Sequence, residues 1–161
     1  MKRPSEIKVV KAKNAWMLPS SYRALTAFGT IYCNDFRDVE LINKTDKIDS
    51  SLKCHETIHV KQAENTKNSW WLFYLVYLWQ WIKNLPLIFI KAHYAYYFIS
   101  YELEAYANEE NFEYGYHEAT QWRMFEEKLS LKDKKKFAKE YKQSKMIFRD
   151  FVNKIIIPKL D

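Results

Sequence analysis

The stretch Cys54-His55-Glu56-Thr57-Ile58-His59 decides how the rest of the chain is read. Its two histidines stand four residues apart. On a helix that spacing puts both imidazoles on one face, about one turn apart, where both can reach a single ion. Glu56 projects beside them, toward a water on that ion. Two neutral nitrogen ligands, an open coordination position and a neighbouring base are what metal-dependent hydrolysis requires. The competing reading is a solvated helix face that carries His, Glu and His by coincidence. A third ligand further along the chain separates the two, and the carboxylate-rich stretch SYELEAYANEE, residues 100–110, has the helical character to supply one.

Around this motif the local signals are clear. Asp49-Ser50-Ser51 offers N-cap residues for a helix over 51–66. Gln62 falls on the histidine face of that helix, as a support for the ligands or as a plain polar surface residue. Cys54 either brings its thiol toward the ion or packs as a small apolar residue. Before the helix, ALTAFGTIYC over 24–33 reads as one strand, with Gly29 as a bulge or a close backbone approach and Asn34-Asp35 as its stop. Such a strand suits the border of a substrate cleft, and equally an ordinary sheet edge. SEIKVVKA over 5–12 reads as a short strand with a basic edge, and Pro19 with Ser20-Ser21 as a turn.

After the motif comes WWLFYLVYLWQWI, residues 70–82, apolar all round except for Gln80; Lys83-Asn84 interrupts it and LPLIFI follows. A membrane-spanning helix needs about twenty predominantly apolar residues, and this run falls short. The expectation is two helices flanking the Lys83–Pro86 break and buried in the core. The alternative is peripheral contact of residues 70–90 with a membrane surface through their tryptophans and tyrosines. From Tyr94 the pattern predicts one continuous helix through Glu113, stopped at Gly115, then a helix from His117 to Leu129. Ser130 with Asp133 opens another in the manner of a capping box. Ile155 to Ile157 form a terminal apolar patch that docks on the domain.

A chain of 161 residues, nearly half of them apolar, is long enough for one domain with a real core. The reading is a single domain over 1–161, with its core at about 24–125 and a helical C-terminal extension over 126–161. Two glycines exclude a phosphate-cradling loop, and two cysteines exclude a disulfide framework. The net charge of +6 is concentrated in the lysines between Lys128 and Lys145. Such a run is most simply a solvated face, and with no nucleic-acid-binding motif beside it a nucleic-acid partner ranks last. No apolar segment follows the basic residues of the N-terminus, so the expected compartment is the cytoplasm, with peripheral membrane or virion association as the alternative.

Glu102-Leu103-Glu104-Ala105-Tyr106 carries a resemblance. Together with HETIH it is similar to the gluzincin class of zinc metallopeptidases, whose second signature is a helix bearing E-x-x-A-D. The order HETIHVKQAEN, aromatic helix, ISYELEAYANEEN resembles small HExxH proteins of gut bacteria and their phages. The resemblance covers roughly residues 24–125. No G-x-x-H follows HETIH, which excludes the three-histidine metzincin pattern. Aligned on Ala105, the resemblance makes Glu102 the third ligand; a second register makes it Glu104, with Asn108 behind it. Where the class has an aspartate that orients a ligating histidine, this chain has Tyr106.

The resemblance implies an α+β fold, mostly helical and zincin-like, with a small N-terminal sheet, an HExxH helix and a Glu-bearing helix. It implies a zinc metallopeptidase acting on a peptide or protein substrate. His55, His59 and Glu102 would hold Zn²⁺, and Glu56 would be the catalytic base. Tyr114, Tyr116 and His117 would be candidates for the oxyanion donor. A non-catalytic zincin-fold module, phage-derived or associated with a membrane surface, is the alternative.

Overall fold

A computed structural model describes residues 7–12, 23–45 and 47–160. The turn expected at Pro19 to Ser21 lies outside the described residues, as do residues 5 and 6 of the first expected strand. Among the described residues the chain is α+β and mostly helical, with one three-stranded sheet. Its contacts divide it into two compact units. The first comprises the chain up to Trp70 with Asn108–Ala119; the second comprises Trp71–Ala107 with the chain from Thr120 onward.

The first unit holds the sheet. Strands β1 (Lys8–Lys11), β2 (Ala24–Ala27) and β3 (Thr30–Cys33) lie in the order β1-β3-β2, β1 parallel and β2 antiparallel to β3. The single strand expected over 24–33 is therefore a hairpin. Phe28 and Gly29 both take positive φ, 48° and 74°, the signature of a two-residue primed turn. Gly29 is thus a turn residue rather than a bulge. Asp35 ends the strand and caps α1 (Phe36–Asn43) by accepting from the Arg37 backbone N–H. Helix α2 (Ser51–Asn65) starts at the expected cap, where Ser50 accepts from the Lys53 N–H. A core of Ile7, Ile31, Cys33, Ile42 and Val60 sits among these elements.

The second unit is helical. Helix α3 (Trp70–Asn84) passes into a 3₁₀ turn, Leu85–Phe89, with Pro86 near its start. The pair of buried helices expected here is one helix and a short turn, and most of α3 is not buried: Phe73, Gln80 and Asn84 are its buried residues. The continuous helix expected from Tyr94 to Glu113 is broken. It forms α4 (Tyr94–Tyr97) and α5 (Ser100–Asn108), separated by a 3₁₀-type bond from the Ile99 N–H to the Tyr96 carbonyl. Phe98 and Ile99 at this break are fully buried, so packing rather than glycine or proline sets it. The helix expected from His117 is the shorter α6 (Trp122–Lys128).

Helix α7 (Leu131–Gln143) begins with the capping box anticipated at Ser130 and Asp133. After α8 (Phe148–Phe151) the chain continues as a π turn and a 3₁₀ turn to Lys159. Ile156 belongs to the unit's core with Leu87, Phe98, Phe125 and Phe151, and Ile155 and Ile157 pack against it, so the terminal patch docks as expected.

Candidate metal centre

Eleven consecutive residues of α2, Lys53–Ala63, are buried, so the motif is no solvated face. Buried polar side chains need partners, and the first unit supplies them. His55 Nδ1 lies 3.0 Å from Glu109 Oε2. A carboxylate accepts, so Nδ1 is a protonated nitrogen, and in the neutral ring Nε2 carries the lone pair. One turn on, His59 Nδ1 donates to Gln62 Oε1 at 2.8 Å, which again leaves Nε2 as the acceptor. The two rings stand 4.9 Å apart, centroid to centroid, at a steep mutual angle. In the neutral form both histidines would ligate through Nε2, with ring orientation set by a hydrogen bond behind each.

Glu56 is held differently. The Thr26 hydroxyl, on edge strand β2, donates to Glu56 Oε2 at 2.6 Å. The carboxylate's position is therefore set by the sheet. Cys54 does not turn toward the histidines. Its thiol donates weakly to the carbonyls of Asn108 and Asn111 at 3.5 and 3.6 Å. Burial pushes it up to about 12, which leaves it a neutral thiol. Close packing also explains Gly115: a Cβ there would run into Ile48 and touch Cys54 Sγ.

In the second unit Glu102 is buried on α5, and Tyr77 Oη of α3 donates to its Oε1 at 2.8 Å. Glu104 is committed elsewhere, since its Oε1 accepts from the Gln121 backbone N–H at 2.6 Å. Tyr106 packs its ring edge-on against Phe148 and Tyr97 in the unit's core. The carboxylate that stands behind His55 is Glu109, three residues after Tyr106. Of the expected oxyanion donors, Tyr116 is engaged by the Ile48 N–H, which donates to its hydroxyl at 2.8 Å, and His117 is exposed.

His55, His59 and Glu102 are all buried, each offers one ligand atom, and together they could hold a metal ion. The donor chemistry, two neutral imidazoles and a carboxylate, fits zinc. Three supporting residues escaped the sequence reading. None carried a usable signal: Glu109 lies just past the end of α5, and Thr26 and Tyr77 are ordinary strand and apolar-helix residues by sequence. No family model, curated protein or solved structure matches the chain.

Proposed function

We propose that this chain is a zincin-like, zinc-dependent hydrolase of peptide bonds, with His55, His59 and Glu102 as the protein ligands. The observation that carries the reading is the pair of hydrogen bonds behind the histidines, Glu109 to His55 and Gln62 to His59. A chance HExxH has no reason to bury both rings and protonate both on Nδ1. Glu102 is preferred to Glu104 because Glu104 already accepts from the Gln121 backbone N–H, and Tyr77 holds Glu102 by one oxygen.

Zinc in such a site supplies a Lewis acid for the scissile carbonyl and a water whose pKa falls to about 7. Glu56 does the proton work. Pinned by Thr26 through one oxygen, it takes the water's proton with the other and passes it to the departing amine. Among the described residues strand β2 lies at the sheet edge, beyond β3, and carries the residue that fixes this base. A substrate strand running beside β2 would have its backbone aligned by the same edge.

The test is Glu56→Gln in zinc-loaded protein incubated with a complex peptide mixture and read by mass spectrometry. Cleavage by the parent and its loss in the variant, with zinc retained in both, is the expected result. Turnover unchanged in the variant contradicts the role of Glu56. Zinc bound by a parent that cleaves nothing favours the metal-holding module without catalysis.

A further inference from the structure

Helix α3 is turned the wrong way round for water. Its buried positions include the polar Gln80 and Asn84, while Leu75, Leu78, Trp79 and Ile82 share an exposed face, Leu75 at 62% and Trp79 at 59%. A helix that packs on a core and faces water does the opposite. The inversion is fixed by polar pins. Asn84 Nδ2 donates to the Ala95 carbonyl, and Lys134 Nζ donates to Asn84 Oδ1, both at 3.3 Å. Gln80 Oε1 accepts from the Tyr101 backbone N–H at 3.4 Å. Rolling the apolar face inward would break all three.

The 3₁₀ turn that follows α3 adds Phe89, which projects with 89% of its surface exposed. Beside Phe89 runs a row of lysines. A shallow depression is lined by Phe89, Ile90, Lys139, Lys142 and Gln143, and Lys142 Nζ donates to the Ile90 carbonyl at 2.9 Å. A second depression, sharing Lys139, is lined by Leu131, Lys132, Lys135 and Lys136. All of this lies within the second unit.

We propose that the α3–Phe89 face docks on the surface of an anionic phospholipid bilayer. The occupant must be apolar where Leu78, Trp79 and Phe89 enter and negatively charged where the lysines stand. An anionic bilayer offers acyl chains beneath a layer of phosphates. A second copy of this chain would set lysine row against lysine row. Tryptophan and phenylalanine on one side, with lysines beside them, is the composition of an interfacial element. Among the described residues no helix is long and apolar enough to cross a membrane, and α3, 15 residues or about 22 Å long, lies in the interface. This docking stands independently of any metal chemistry.

The experiment is co-sedimentation of the full chain with vesicles of phosphatidylcholine alone or with added phosphatidylglycerol, at low and high salt. Binding is expected to the phosphatidylglycerol vesicles, weakened by salt, with a blue shift of tryptophan emission. Phe89→Asp should weaken it about tenfold or more. Lys136→Ala and Lys139→Ala should each weaken it about fivefold. These side chains are exposed, and an unchanged melting curve verifies the fold. Failure of the parent to sediment with phosphatidylglycerol vesicles overturns the proposal, as does full binding by Phe89→Asp. Concentration-dependent dimers that Phe89→Asp abolishes, with vesicles ignored, would overturn it in favour of a self-interface.

Discussion

Helices α2 and α3 are each 15 residues long, and they reverse the usual relation between hydropathy and burial. Helix α2, with His, Glu, Lys and Gln along its length, is buried over eleven consecutive residues; α3, almost wholly apolar, buries three. In α2 each buried polar group of the motif has a partner that orients it, which is the arrangement of a site held ready for a ligand. In α3 the polar residues serve as pins and the apolar ones face outward. On the two proposals made above, both helices answer to something other than the hydrophobic core, one to an ion and one to an apolar surface.

The contrast can be sharpened by substitutions, beginning with the largest effect. Ile58, fully buried in α2, should cost about 2–5 kcal/mol of stability when replaced by Ala, read by denaturant unfolding. Next is Lys134, buried against Asn84. Burial pushes its ammonium down to about 8, with Lys83 adding repulsion, against about 10.4 in the unfolded chain. Below pH 8 both states carry the charge and the folded one bears its desolvation cost, at most about 3 kcal/mol. Between the two values the unfolded chain holds a proton that the folded chain has released, so stability rises with pH across that window. Lys134→Met should therefore be the more stable protein below pH 8, with the difference shrinking as pH rises toward 10 in paired unfolding curves.

Glu109→Ala removes the carboxylate behind His55 and should weaken zinc binding by about 10- to 100-fold, measured by competition with a chelating dye. An unchanged affinity would mean that the Nδ1 contact does not orient a ligand. The smallest effect belongs to α3. Leu78→Gln, on its exposed face, should change stability by less than about 0.5 kcal/mol, although the same exchange in a core would be severe. A loss of several kcal/mol there would show the face to be covered within the chain.

Much of the local chemistry was legible in the sequence. Ser50 as the cap of α2, the Ser130–Asp133 box and the alignment of Gln62 with His59 all rest on spacing within one or two turns, where the rules are local. The hairpin was missed because its turn is Phe28-Gly29, with a phenylalanine at positive φ in place of the usual Asn or Asp; the Phe28 ring packs on Trp70, 6.4 Å away. The break at Phe98–Ile99 was missed because both residues are apolar and the break is made by packing. Glu109, Thr26 and Tyr77 were missed for a common reason. Each meets its partner only through folding, across 54, 30 and 25 residues of chain respectively. The outward face of α3 was misread because hydropathy was equated with burial.

The measurement that bears most directly on the metal site is zinc per chain by elemental analysis, on protein purified without chelator, with Glu102→Ala and Glu104→Gln alongside. The glutamine at 104 keeps an acceptor for the Gln121 N–H, so that variant tests ligation rather than folding. About one zinc per chain in the parent and in Glu104→Gln, lost in Glu102→Ala, is the result expected of a His55–His59–Glu102 site. No zinc in the parent after reconstitution, or zinc kept by Glu102→Ala and lost by Glu104→Gln, would contradict it.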